Sequence, residues 1–336
     1  MRRPQTGHVP LSPNGRGVLM LPPRRCQLPP DTLRHLELSL KRQLKRYRKG
    51  LKRCQQKFSP GAVHESRVET RRLLSVVELL QPFLRGGRVR KIRATLKRHL
   101  ATFNELRDTQ VQRLALAGMR QAFPAARAFY RHLKNREARF SRRSRKDVKR
   151  IKTKRLQKLL TGCRQELKQW RKRHRSEQAN ARLLAAVGGA FERTARLKGQ
   201  IARNDTATIH RTRVAFKKFR YMVETLAPRL PFANEKLLAA MHHYQTMMGE
   251  VQDVEVLLRA FDEFLRAEKL ERLEARRFRA EWLRRRRWLV RVYLDAAGQL
   301  CEFWPWAGPP TPAPPALSRP AAPPLASGPG IRTTHN

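Results

Sequence analysis

The strongest constraint on this chain is that it repeats itself. Val63-His64-Glu65-Ser66-Arg67-Val68-Glu69-Thr70-Arg71-Arg72-Leu73 is answered by Ile209-His210-Arg211-Thr212-Arg213-Val214-Ala215-Phe216-Lys217-Lys218-Phe219, both of the form apolar-His-x-x-Arg-Val-x-x-basic-basic-apolar. Val77-Glu78-Leu79-Leu80-Gln81-Pro82 is matched by Val223-Glu224-Thr225-Leu226-Ala227-Pro228 in unbroken register. After the loss of one residue, Phe103-Asn104-Glu105-Leu106-Arg107-Asp108 is matched by Met248-Gly249-Glu250-Val251-Gln252-Asp253. An internal duplication limits the fold to two copies of one unit, each with one motif segment.

On a helix, at about 100° per residue, His64, Arg67 and Arg71 fall within about a sixth of the circumference. His210, Arg213, Lys217 and Tyr221 form the same stripe in the second copy. Val63, Thr70, Leu73, Leu74 and Val77 occupy a separate, mostly apolar face, so each helix has a packing side and a cationic side. Ser59-Pro60 predicts the start of one helix and Asp205 or Thr206 the start of the other, and Pro82 and Pro228 mark their ends.

The rest of the chain reads as helix. Strand alternation bounded by turns is not evident, and the segments predict an all-α fold of two helical bundles. Residues 1–30 and 304–336 are Pro-rich and are expected to be disordered flanks. Between them the first half spans about 31–140, a basic connecting helix about 141–178, and the second half about 179–303. Single helices are expected at about 88–116, after a Gly86-Gly87 turn, and at about 234–265. From Asp31 the apolar seam is flanked by a further basic stripe, Lys41, Lys45 and Arg48. Residues 131–175 carry only a thin apolar seam, which suits either a solvated linker or an anion-binding arm.

With 75 Lys+Arg against 26 Asp+Glu, the 336 residues have a formal net charge of +49. Self-repulsion on that scale points to a polyanionic partner. Cys26, Cys54, Cys163 and Cys301 stand far apart with no Cys-x-x-Cys, which fits a reducing compartment and argues against a thiolate metal site. No apolar run is long enough to span a bilayer, so the chain reads as cytoplasmic.

Two His-x-x-Arg-Val-x-x-basic-basic helices, each followed by a Glu-x-x-Asp segment, resemble the CHAD (conserved histidine α-helical domain) family over roughly residues 31–303. The resemblance implies two four-helix bundles about a pseudo-twofold axis, binding of inorganic polyphosphate, and association with polyphosphate granules. Carried over by position, it implies that His64, Arg67, Arg71 and Arg72 contact phosphate in one half, and His210, Arg213, Lys217 and Lys218 in the other. The basic segment around 142–175 is not fixed by the family pattern.

Elementary chemistry agrees. A bare phosphate polymer asks for repeated cationic donors, and Arg and Lys supply charge-assisted bonds to phosphate oxygens. Aromatic residues make up 7% of the chain, few for stacking single-stranded bases. Histidines beside phosphate predict affinity rising from pH 8 to pH 6. Asp108 and Asp253 are expected to be buried partners of the motif arginines, and Glu78 and Glu224 to pair within their own helices. No P-loop is present and His242-His243 lacks the metalloprotease spacing, so no enzyme, metal or cofactor is expected. The alternative is a protein that compacts nucleic acid without sequence selectivity.

Overall fold

The computed structural model describes residues 28–267 and 272–305. The expectations for the two termini fall largely outside this range. Every regular element among the described residues is helical. In chain order these are α1 (Thr32–Gln56), α2 (Pro60–Leu79), α3 (Gly86–Ala101), α4 (Asn104–Leu116), α5 (Pro124–Lys149), α6 (Lys154–Arg173), α7 (Ser176–Gly199), α8 (Thr206–Leu226), α9 (Glu235–Ala267) and α10 (Arg272–Ala296). Short 3₁₀ turns occupy Gln81–Phe83, Ala227–Arg229 and Ala297–Phe303.

The motif helices begin and end where local chemistry says they must. Ser59 Oγ accepts from the Ala62 amide at 3.3 Å, with Pro60 in the first turn. Asp205 Oδ1 accepts from the Ala207 amide at 2.9 Å. Both helices run down into a 3₁₀ turn holding Pro82 or Pro228, because proline lacks the N–H that would continue the ladder.

α1 packs along α2, α2 along α3, and α4 along α5. In the other part of the chain α7 packs on α8, α8 on α9, and α9 on α10. The two groups meet where α2 packs on α8, α4 on α9 and α5 on α10. Leu73, Val77, Phe216, Phe219 and Val223 are fully buried, so the apolar faces of both motif helices go into the core and their cationic stripes are left to line its surface. Aromatic rings fill the space behind α8: Phe216 meets Tyr244 at 4.8 Å, edge to face.

Five expectations are corrected. The Gly86-Gly87 pair opens α3 and does not form a turn outside it. The helix expected at 88–116 is broken at Thr102 and Phe103, and Phe103 is buried. The connecting segment is not one solvated helix: it divides into the end of α5 and α6. α6 buries Leu156, Leu160, Cys163 and Leu167 against α1 and α3, and Trp170 meets Phe83 at 4.9 Å. Trp304, expected to begin the C-terminal flank, is buried against Phe219 and Phe232. Leu28, expected in the N-terminal flank, is buried too, and its carbonyl accepts from Asn180 Nδ2 at 2.6 Å.

Candidate functional site

Two clefts flank the packing of α2 on α8. The larger, about 860 Å³, is walled by α2, α3, α7 and α8. Seven Lys or Arg side chains line it (Arg71, Arg93, Lys97, Arg193, Arg211, Lys217, Lys218), with His210, against one carboxylate, Glu78. That carboxylate is already taken by Arg93 Nε at 3.2 Å; its partner thus comes from α3 and not from its own helix, a correction to the sequence expectation. α7 contributes Ala186, Gly189 and Ala190 to the wall, and their small side chains leave the space open. The smaller cleft, about 530 Å³, is formed by α1, α2, α8 and α9 and carries Arg42, Arg46 and Arg72. Ser75 and Tyr221 line both clefts, and Ser75 Oγ lies 3.4 Å from Thr225 Oγ1 across the α2–α8 contact.

The stripes meet as expected on their inner members. Burial, then Arg71, lowers the Arg67 pKa to about 10. Burial also lowers the Arg213 pKa, with Asp253 opposing and Arg71 adding to the effect. Lys217 is most affected: burial, then Arg71, Arg213, Arg67 and Arg220, brings it down to about 7. Like charges disfavour each other's charged form, so these shifts record cations from both helices gathered in one place. Among the described residues, Arg71, Arg213, Lys217 and Lys218 make no hydrogen bond or ion pair. Arg67, 8% exposed, differs: its Nη1 donates to the Leu100 carbonyl at 3.2 Å and to Asn104 Oδ1 at 3.3 Å.

The outer members are placed less uniformly. His64 is exposed on α2. His210 is half-buried on the wall of the larger cleft with Nδ1 unpartnered. Its pKa is lowered by burial and then by Arg213, so neutral imidazole is its resting form near pH 7. Arg72 lines the smaller cleft, and its Nη1 donates to Glu69 Oε1 at 3.0 Å, a carboxylate that also accepts from Gln43. The Tyr221 ring lies under Arg220, 4.5 Å from the guanidinium carbon.

The structure does not bring Lys41, Lys45 and Arg48 to either cleft. They are exposed and lie on the flank of α1 turned away from Leu36, Leu40 and Tyr47. The α1 cations that do line a cleft are Arg42 and Arg46, which at about 100° per residue lie on the opposite flank of α1 from Lys41 and Arg48. Arg93, Lys97, Arg193 and Arg211 were also not singled out in the sequence. Arg42/Arg46 and Arg93/Lys97 are i,i+4 pairs beside an apolar seam, but so are many other pairs in a chain this basic.

Asp108 and Asp253 are exposed, not buried. Among the described residues neither makes an ion pair or hydrogen bond. Arg67 acts on Asp108, and Arg213 on both, through space alone. Both carboxyls are raised first by the desolvation of their surroundings. Glu224 pairs with Arg220 within α8, as expected. No group of three or more His, Cys, Asp or Glu suited to a metal ion occurs among the described residues, and no described helix is long and apolar enough to cross a membrane.

Comparison with curated proteins returns no match. The fold is similar to the crystal structure of the CHAD domain from the plant Ricinus communis, with a TM-score of 0.54 at 16% identity, over 81% of this chain and 90% of that chain. At that identity the likeness speaks for the fold alone. The family model described as the CHAD domain matches residues 38–262, a span that takes in both motif helices and most of the helices packed on them, and the chain belongs to the CHAD family.

Proposed function

We propose that this chain binds inorganic polyphosphate without acting on it, along a basic trough made by the two clefts. The observation that carries this reading is the unspent charge at the α2–α8 contact. Arg71, Arg213, Lys217 and Lys218 make no ion pair among the described residues, and burial, then the neighbouring Arg71, Arg213, Arg67 and Arg220, brings the Lys217 pKa down to about 7. Buried or half-buried cations held without counterions cost stability, and a polymer of phosphates supplies the missing charges in a row. Belonging to a family associated with polyphosphate supports the same reading.

The duplicated layout also belongs to this proposal. In this reading α1, α2, the broken helix α3–α4 and α5 answer α7, α8, α9 and α10, as two four-helix bundles about a pseudo-twofold axis between α2 and α8. A long polymer then crosses equivalent donors in both. Residence in the cytoplasm, at polyphosphate granules, follows from that ligand.

Long-chain polyphosphate should bind the wild-type chain. Replacing Arg71, Arg213, Lys217 and Lys218 together with Gln should abolish the binding while helicity by circular dichroism stays the same. Unchanged affinity in that variant would end the proposal. The competing reading, nucleic-acid compaction, draws on exposed Trp288 with Arg285 5.9 Å from its ring, an arrangement able to stack a base. Both ligands release counterions and show steep salt dependence, so competition at fixed ionic strength separates them. Polyphosphate should displace DNA at far lower phosphate concentration than DNA displaces polyphosphate.

A further inference from the structure

The two repeat arginines are not equivalent in this fold. We propose that Arg213 is the arginine that grips phosphate, whereas Arg67 is a positioning residue that ties α2 to the break between α3 and α4; this rests on the polyphosphate reading above.

The difference begins in the helices behind each arginine. α3 ends at Ala101 and α4 begins at Asn104, so carbonyls in the last turn of α3 lose their regular i+4 donors. Leu100 O is one of them; it accepts from the Phe103 amide at 3.2 Å and from Arg67 Nη1 at 3.2 Å. Asn104, the first residue of α4, adds its Oδ1 to the same guanidinium nitrogen at 3.3 Å. Arg67 therefore caps one helix and holds the next.

Behind Arg213 the corresponding helix, α9, runs unbroken from Glu235 to Ala267, and its internal carbonyls are used by its own ladder. The residue answering Asn104 in the sequence repeat is Gly249, and it is buried. A Cβ built on Gly249 would lie 3.5 Å from Arg213 Nε and 3.7 Å from Nη2. The guanidinium thus packs against bare backbone where Arg67 meets an amide acceptor. Arg213 makes no hydrogen bond or ion pair among the described residues, and its Nε is enclosed with no partner. Asp253 and Asp108 act on it only at a distance. An enclosed guanidinium N–H with no acceptor is costly, and a ligand oxygen is the acceptor that this half of the fold omits.

Gly249 is then the residue that keeps Arg213 available. A Cβ fits there at ordinary contact distance, and both Ala and Asn are better helix formers than Gly. Gly249→Ala fills the space without adding an acceptor; Gly249→Asn supplies the acceptor that Arg67 has.

The test uses the full chain, long-chain inorganic polyphosphate at fixed ionic strength, and thermal melts of each variant. Gly249→Asn and Arg213→Lys should each weaken binding about five- to tenfold, the scale of one charge-assisted hydrogen bond, with no loss of melting temperature. Gly249→Ala should bind within about twofold of wild type. Arg67→Lys should lower the melting temperature and lose less affinity than Arg213→Lys. Equal losses of affinity in the two Arg→Lys variants would overturn the inference, as would Gly249→Ala behaving like Gly249→Asn. Should Gly249→Asn fail to fold, the two Arg→Lys variants decide alone. If the wild type itself does not bind polyphosphate, the functional reading falls with the inference; binding retained with equal losses removes the inference only.

Discussion

Lys217 concentrates the electrostatics of the site in one titration. It is faced by Arg67 and Arg71 from α2 and by Arg213 and Arg220 from its own helix; Arg193 of α7 and Lys97 of α3 line the same cleft. Its pKa in the free protein, about 7 against 10.5 for an ordinary lysine, has two consequences of opposite sign. The unfolded chain holds this proton more tightly, so the contribution of Lys217 to stability rises with pH from about 7 to about 10.5. A bound polyanion pushes the pKa back up, so affinity is greatest below pH 7 and falls above it, by at most about tenfold per pH unit for one proton. The sequence assigns this dependence to His64 and His210. Above pH 7 the dependence belongs to Lys217, whose pKa lies at about 7, whereas burial and Arg213 lower that of His210. Lys217→Arg, charged throughout, should flatten affinity between pH 7 and pH 9, whereas a His64→Ala/His210→Ala double variant should keep the wild-type slope. A polyphosphate titration across that range, in which Lys217→Arg retained the full slope, would return the effect to other groups. The motif stripe was legible because its spacing is local. Arg93, Lys97, Arg193, Arg42 and Arg46 were not, because only tertiary packing brings those helices beside α2 and α8.

Elements were legible to the extent that local chemistry makes them. Ser59-Pro60, Asp205, Pro82 and Pro228 mark helix ends through groups within a few residues, and the structure uses all four as read. Ser59→Ala should cost about 1 kcal/mol, the usual value of an N-cap, seen as a lower midpoint in denaturant. The α3–α4 break carried no such mark: neither Gly nor Pro stands at Thr102 or Phe103, and the break is set by burial of Phe103 and by the distant Arg67. The packing of α6 is hard to see in the sequence for a related reason. Its charges dominate the sequence, but Leu156, Leu160, Cys163 and Leu167 recur at helical spacing on one buried stripe, and a narrow stripe suffices when α1 and α3 stand ready to cover it. Leu160→Ala should therefore destabilise the fold by roughly 2–5 kcal/mol, in the range for a buried leucine. A merely solvated linker would lose almost nothing, and equilibrium unfolding distinguishes the two outcomes.

At the scale of the whole molecule, a formal charge of +49 works against compactness, and the fold manages it unevenly. Carboxylates are spent at joints: Glu166 on Arg85 and Arg88, Glu37 on Arg164 and Arg171, Asp262 on Arg279. Few remain for the trough, where repulsion concentrates. General repulsion is relieved by any electrolyte, since the Debye length falls from about 30 Å at 0.01 M salt to about 10 Å at 0.1 M. Site-specific repulsion is relieved only by an anion that sits in the trough. The melting temperature should accordingly rise with sodium chloride and level off once screening is complete. Long-chain polyphosphate added to that screened protein should raise it again, by an amount equivalent to about 2.7 kcal/mol at a hundredfold excess over Kd. The second rise should shrink in the Arg71/Arg213/Lys217/Lys218 variant, whose melting temperature without ligand should start above that of wild type because the repulsion has been removed. A variant that starts lower would mean that these cations support the fold instead of straining it, and the trough would then have to be sought elsewhere on the surface.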